Sequence, residues 1–197
     1  MIGRRALLGL GTAAAAGAVL GGCTGSDDGT NPVGRKLTTP ENPTAAEAET
    51  GDSGGTPRRL PDVELAWLTG GSGTVALSSL EGPMVLNIWA QWCPPCREEL
   101  PFFQRLYARS EERVRVVGLD FEDRAENALD FIDRLGLRYP HLQDPKGTVK
   151  AHFRLGVGLP VTVFVGPDAA IERLVYKAYR SEHELLTDVR RHLGVRL

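Results

Sequence analysis

Val85-Leu86-Asn87-Ile88-Trp89-Ala90-Gln91-Trp92-Cys93-Pro94-Pro95-Cys96-Arg97-Glu98-Glu99-Leu100-Pro101 is the stretch whose reading decides the fold. Together with Met84, its first part is a nearly continuous apolar run, as expected of a strand buried on both faces. Pro94 fits the first turn of a helix, where its missing N–H would be unpaired anyway. Leu100, Phe103, Leu106 and Tyr107 then recur at helical spacing. Two cysteines therefore fall where a buried strand meets a helix. Only a thiolate attacks a disulfide, and the unpaired N–H groups and dipole at a helix start favour negative charge. A cysteine there can have its pKa lowered from about 8.5 to roughly 3.5–7.5. Cys93 is expected at the helix cap, exposed, as the attacking sulfur. Cys96, one turn on and more buried, would close the ring. Other uses of the motif fit less well. No second Cys pair or nearby His cluster completes a zinc site, residue 97 is Arg rather than the His of a c-haem site, and so short a loop adds little as a structural staple.

Outward from this stretch, Val75–Leu80 reads as a short strand ending at the Glu81-Gly82-Pro83 turn. Val114–Leu119 reads as a buried strand, and Ala128, Leu129, Ile132 and Leu135 as a helix stopped at Gly136. Val149–Leu155 reads as a short helix, Val161–Val165 as a strand, and Gly166-Pro167-Asp168 as a turn into a strand over Ile171–Tyr176. Leu185, Leu186, Val189 and Leu193 mark a last helix. Strands alternating with helices imply an α/β domain around a mixed central sheet.

The chain has 197 residues, 42% of them hydrophobic and 24% charged, with a formal net charge of -2. This is ordinary globular composition, and without a basic excess nothing points to nucleic acid as a partner. The N-terminus differs. Arg4 and Arg5 precede an apolar run over residues 6–20 that is shorter than a bilayer span, the pattern of a signal peptide over residues 1–22. The run ends Leu20-Gly21-Gly22-Cys23, which resembles the lipobox of bacterial lipoproteins. That resemblance implies cleavage before Cys23, lipidation of its sulfur and a membrane anchor. It would also account for the odd count of three cysteines. Residues 23–57, rich in Gly, Ser, Thr, Pro and acids, are expected to be a disordered linker spanning about 30–35 Å. Residues 58–197 are left as one folded domain.

Residues 85–101 as quoted, with Val116-Val117-Gly118-Leu119-Asp120 and Gly158-Leu159-Pro160-Val161-Thr162, resemble the thioredoxin-like TlpA/ResA/DsbE group of membrane-tethered, extracytoplasmic thiol–disulfide oxidoreductases. The likeness spans about residues 60–195. It implies a thioredoxin-like fold, a redox-active Cys93–Cys96 disulfide and no cofactor or metal. It also implies that Pro160 is the fold's cis-proline, facing the dithiol, and that the backbone of Leu159 pairs with a substrate's extended chain. Glu99 matches an acid that tunes the thiols and moves protons in ResA-like members, and on a helix it shares a face with Cys96. Trp92, which would shield the Cys93 sulfur, completes the substrate surface with Pro94, Pro95, Leu159 and Pro160. One residue departs from thioredoxin itself: Asn87 stands where thioredoxin carries an acid and cannot accept a proton.

The resemblance implies disulfide exchange with exported proteins in the reductive direction, at the outer face of the cytoplasmic membrane. The oxidised Cys-x-x-Cys-His of apocytochrome c would be a substrate, and a CcdA/DsbD-like membrane thiol carrier the electron donor. Two rivals share the fold. A peroxiredoxin-type thiol peroxidase would want a Thr-x-x-Cys loop, and Ala90-Gln91-Trp92-Cys93 has no Thr. A copper-binding chaperone would want a His, such as His152 or His183, beside Cys93.

Overall fold

A computed structural model describes residues 58–197. The signal segment, Cys23 and the linker expected from the sequence lie outside the described residues. The described part contains strands β1 (Glu64–Thr69), β2 (Thr74–Ala76), β3 (Met84–Trp89), β4 (Arg115–Phe121), β5 (His141–Asp144), β6 (Val161–Val165) and β7 (Ile171–Val175). Its helices are α1 (Pro94–Ser110), α2 (Ala125–Leu135) and α3 (Glu182–Leu193).

The strands form one seven-stranded sheet in the order β2-β1-β5-β4-β3-β6-β7. β3, β4 and β5 run parallel, while β6, β7, β1 and β2 add antiparallel pairs. Side chains alternate across a strand. From β3, Val85 and Trp89 face the layer that holds Leu100, Phe103 and Leu106 of α1, Ala128 and Phe131 of α2, and Leu185 and Val189 of α3. Met84, Leu86 and Ile88 face the other side, beneath Leu77, Val149, Phe153 and Leu155. Every residue of β3 is buried, which explains its unbroken apolar run. α1 and α3 are tied together at the surface by Glu182, which takes Arg105 and Arg109 at 2.7 Å each. α2 ends at Gly136 in the left-handed conformation (φ 62°), which costs glycine nothing.

The observed mixed sheet with flanking helices is the α/β fold expected. Three local readings change. The strand read over Val75–Leu80 is only Thr74–Ala76, followed by a 3-10 turn. Residues 149–155 do not form a regular helix. Asp144 holds the turn before them, accepting from the N–H groups of Thr148 (2.8 Å) and Val149 (2.9 Å). Their own backbone bonds then skip among three spacings, Arg154 to Ala151, Phe153 to Val149 and Leu155 to Lys150. β1 and β5, unread in the sequence, extend the sheet beyond β4.

Candidate active site

β3 and β4 both end at the same edge of the sheet, the carboxyl edge at which open α/β folds place their sites. Four residues beyond Trp89 the chain enters α1. Cys93 is its N-cap, with Pro94 and Pro95 as the first helical residues. Neither proline has an N–H, so the first free donor is the amide of Cys96, which points at the Cys93 sulfur (3.3 Å). No acidic residue stands in the first turn. A thiolate on Cys93 would therefore meet a donor and the positive end of the helix dipole without an opposing charge from the first turn of α1.

Cys93 and Cys96 are joined in a disulfide, with Cα atoms 5.3 Å apart. Cys96 is fully buried, as expected. Cys93 is not the exposed residue the sequence led us to expect, being only 3% accessible. Bonding to a buried partner turns its sulfur inward, into the layer that holds Trp89, Ala90 and Leu100. Trp92 is half exposed, and its indole N–H donates to the carbonyl of Glu122 (3.1 Å) in the loop after β4. Asp123 in that loop accepts from the N–H of Gln91 (2.7 Å). The segment leading into the dithiol is thus pinned on its β4 side by two hydrogen bonds.

On its other side lies β6. Ile88 of β3 is paired with Val161 of β6, so Pro160 falls beside the Trp89-Ala90 end of β3. The Leu159–Pro160 bond is cis, Pro160 is buried and Leu159 half-buried. Pro94 and Pro95 are exposed. Beside them runs an open groove lined by Pro95, Glu98, Phe102, Lys177, Arg180 and Glu184.

Glu99 is fully buried one turn past Cys96. Its Oε1 accepts from Asn87 Nδ2 (2.8 Å) and its Oε2 from the N–H of Tyr179 (2.9 Å). Burial raises its pKa to about 8, against the opposing pull of those two hydrogen bonds. Asn87 thus acquires a role its own chemistry hides: unable to take a proton, it holds the residue that can. Glu98, by contrast, is exposed.

Sequence reading passed over three further groups. His141 of β5 is buried with Nδ1 accepting from Trp89 Nε1 (3.3 Å), and burial lowers its pKa to about 3. Tyr139 packs against that ring at 4.3 Å. Asp120, at the end of β4, is buried with neither carboxyl oxygen partnered among the described residues. A carboxyl inside the apolar run Val116–Phe121 was a visible signal, whereas His141 and Tyr139 carried none. Neither histidine proposed for copper reaches the dithiol: His152 bonds the carbonyl of Arg59 (3.0 Å), and His183 is exposed on α3. Among the described residues no group of three or more His, Cys, Asp or Glu is arranged to hold a metal.

A sequence profile of the AhpC/TSA family matches residues 57–174, more than half of the chain. The chain belongs to the AhpC/TSA family. Within this thioredoxin-like family it is 39% identical over 123 residues to a thiol-disulfide oxidoreductase named ResA from Oceanobacillus iheyensis, covering 60% of this chain and 63% of that one. It is 34% identical over 90 residues to the thiol:disulfide interchange protein DsbE of Haemophilus influenzae, covering 45% and 44%. The chain thus spans less than two thirds of the length of these curated relatives. Among solved structures it resembles a secreted Mycobacterium tuberculosis disulfide oxidoreductase described as homologous to E. coli DsbE. That match has 26% identity and a TM-score of 0.57 over 66% of this chain and 96% of that one.

Proposed function

We propose that this protein is a thiol–disulfide oxidoreductase that exchanges disulfides with exported proteins through Cys93 and Cys96. One observation carries the reading: a two-cysteine disulfide at a helix start, with the Cys96 amide aimed at the Cys93 sulfur and a buried, proton-holding Glu99 one turn behind. The thiol–disulfide names of the relatives support it.

In the reductive direction, the Cys93 thiolate attacks one sulfur of a substrate disulfide, and the other substrate sulfur leaves as a thiolate. Cys96 then loses its proton and attacks the Cys93 sulfur. The second substrate thiolate leaves and the protein disulfide forms. An acid with a pKa near 8 is well matched to accept the proton of a thiol whose ordinary pKa is about 8.5. Glu99 takes that role, and Asn87 positions it. Trp92, Pro94, Pro95, Leu159 and Pro160 form the surface on which the substrate lies. Cys23 carries the lipid that anchors the chain outside the cytoplasmic membrane, and residues 23–57 give the domain reach. No helix among the described residues is long and apolar enough to cross a membrane. Electrons come from a CcdA/DsbD-like membrane thiol carrier, and oxidised apocytochrome c is a substrate.

Substrate trapping tests the proposal. Cys96→Ser leaves Cys93 able to attack but removes the resolving sulfur, so mixed disulfides should accumulate on the anchored protein in cells. Recovery of apocytochrome c supports maturation, and a broad set of exported proteins supports general exchange. A Cys96→Ser protein that captures nothing, while the wild type consumes peroxide or holds Cu(I), would overturn the reading.

A further inference from the structure

Among the described residues no hydrogen bond accounts for the burial of Asp120. It is 1% exposed, and both carboxyl oxygens lack a partner among these residues. Buried polar groups are almost always paired, and the exceptions need an explanation. Strand register supplies the location. Asp120 is paired with Trp89, at the end of β3 from which the chain turns into the dithiol. Alternation along β4 puts it on the face of Val116, the layer shared by Trp89, Cys93 and Cys96, whereas Leu119 and Phe121 face away. Three residues on, Asp123 grips the Gln91 amide.

We infer that Asp120 is a positioning residue for redox protons: it keeps its proton while the two sulfurs are reduced and gives it up as they join. This rests on the oxidoreductase reading. The physical basis is charge. Opening the disulfide places a negative sulfur at the start of α1, and a nearby negative charge favours the protonated form of a buried acid. Closing the disulfide removes that charge. Two electrons pass to the substrate disulfide, and its two sulfurs take up two protons. One comes from the Cys96 thiol; the other comes from Asp120 between its oxidised-state and reduced-state pKa, and from solvent outside that window. Burial, reinforced by Asp123, raises this pKa to about 8. Asp123 from the loop after β4 acts directly on Asp120; the titratable groups of the layer Asp120 faces are Cys93, Cys96 and Glu99 from α1 and the buried Tyr139, while β5 sets Gln143 beside Asp120 and His141, which stays neutral, beside Gly118. β3 contributes Asn87 and Trp89, which do not titrate, and α2 turns Ala128 and Phe131 inward.

Asp120→Asn keeps the shape of the neutral acid and removes its titration. The dithiol midpoint should be measured in thiol buffers from pH 6 to 10 for both proteins. One extra proton per electron pair is a tenfold change in the equilibrium constant per pH unit, about 30 mV. The wild-type curve should be steeper than that of the variant by this amount from about pH 8 up to the reduced-state pKa of Asp120, and parallel to it below pH 7. In the wild type, the carboxyl carbon of Asp120 followed by NMR should titrate at higher pH in the reduced protein than in the oxidised one; this measurement decides alone if the variant does not fold. Superimposable midpoint curves, or one Asp120 midpoint shared by both redox states, would overturn the inference and leave the exchange activity standing. A dithiol that fails to equilibrate with any thiol buffer would bring down both.

Discussion

Replacing Glu99 with glutamine removes one proton-binding group from the core while keeping the length of the side chain. Unfolded, Glu99 takes up its proton near pH 4.5; folded, near pH 8. Between these values the native state holds a proton that the unfolded state has lost. Wild-type stability therefore falls as pH rises, by up to about 1.4 kcal/mol per pH unit for this one group. Below about pH 4.5 both states are protonated and the penalty is absent. Above about pH 8 neither is, and the penalty reaches a ceiling of about 5 kcal/mol. Asp120, raised from 3.8 to about 8, acts in the same sense, so the wild-type curve alone does not isolate Glu99. The difference between Glu99→Gln and wild type does. Asn87 Oδ1, without a partner among the described residues, can accept from the new amide once the Asn87 side chain turns over, so the substitution should cost little at pH 5. Urea unfolding of the oxidised proteins, followed by tryptophan fluorescence at pH 5, 6, 7 and 8, should show the variant gaining on the wild type at every step. Parallel curves across that range would mean that Glu99 keeps an ordinary carboxylate pKa in the fold, too acidic to match a thiol, and its role as proton acceptor would be lost.

Trp92→Phe removes the indole bond to Glu122 from a side chain that is half exposed. Stability should change by less than about 1 kcal/mol, while reduction of the disulfide by dithiothreitol, followed by stopped-flow fluorescence, should become several-fold faster as the loop loosens. Gly118→Ala places a methyl group into the ring of His141 in a fully packed layer. The overpacking should cost about 1–3 kcal/mol in urea unfolding, and a neutral result would show that the His141 ring moves freely.

How much was legible depended on how each segment is buried. β3 and β6 read directly because every residue in them is buried, so hydrophobicity runs unbroken. β5 did not, because its four residues include His141 and Asp144. Both are buried through specific hydrogen bonds that no periodicity encodes. β1 is mostly half-buried and lacks a clean alternation. At the site, the dithiol was readable because a helix start is a local fact, whereas Glu99 was named through its likeness to an acid of ResA-like members and not from its spacing. The bond from Asn87 to Glu99 and the tie from Trp92 to Glu122 join residues 12 and 30 positions apart. They exist only once β3, β4 and α1 have converged. The inward turn of Cys93 follows from its bond to Cys96 and is invisible in the motif itself.

The central claim is that Cys93 and Cys96 form a switchable couple in the folded protein. Equilibrating the native domain in dithiothreitol buffers of stepped ratio, quenching with an alkylating agent and weighing the products tests this directly. Both sulfurs should become alkylated together, along a two-electron curve, with the fold intact at each end. A pair that opens only after urea unfolds the domain, or two sulfurs alkylated independently of one another, would contradict it.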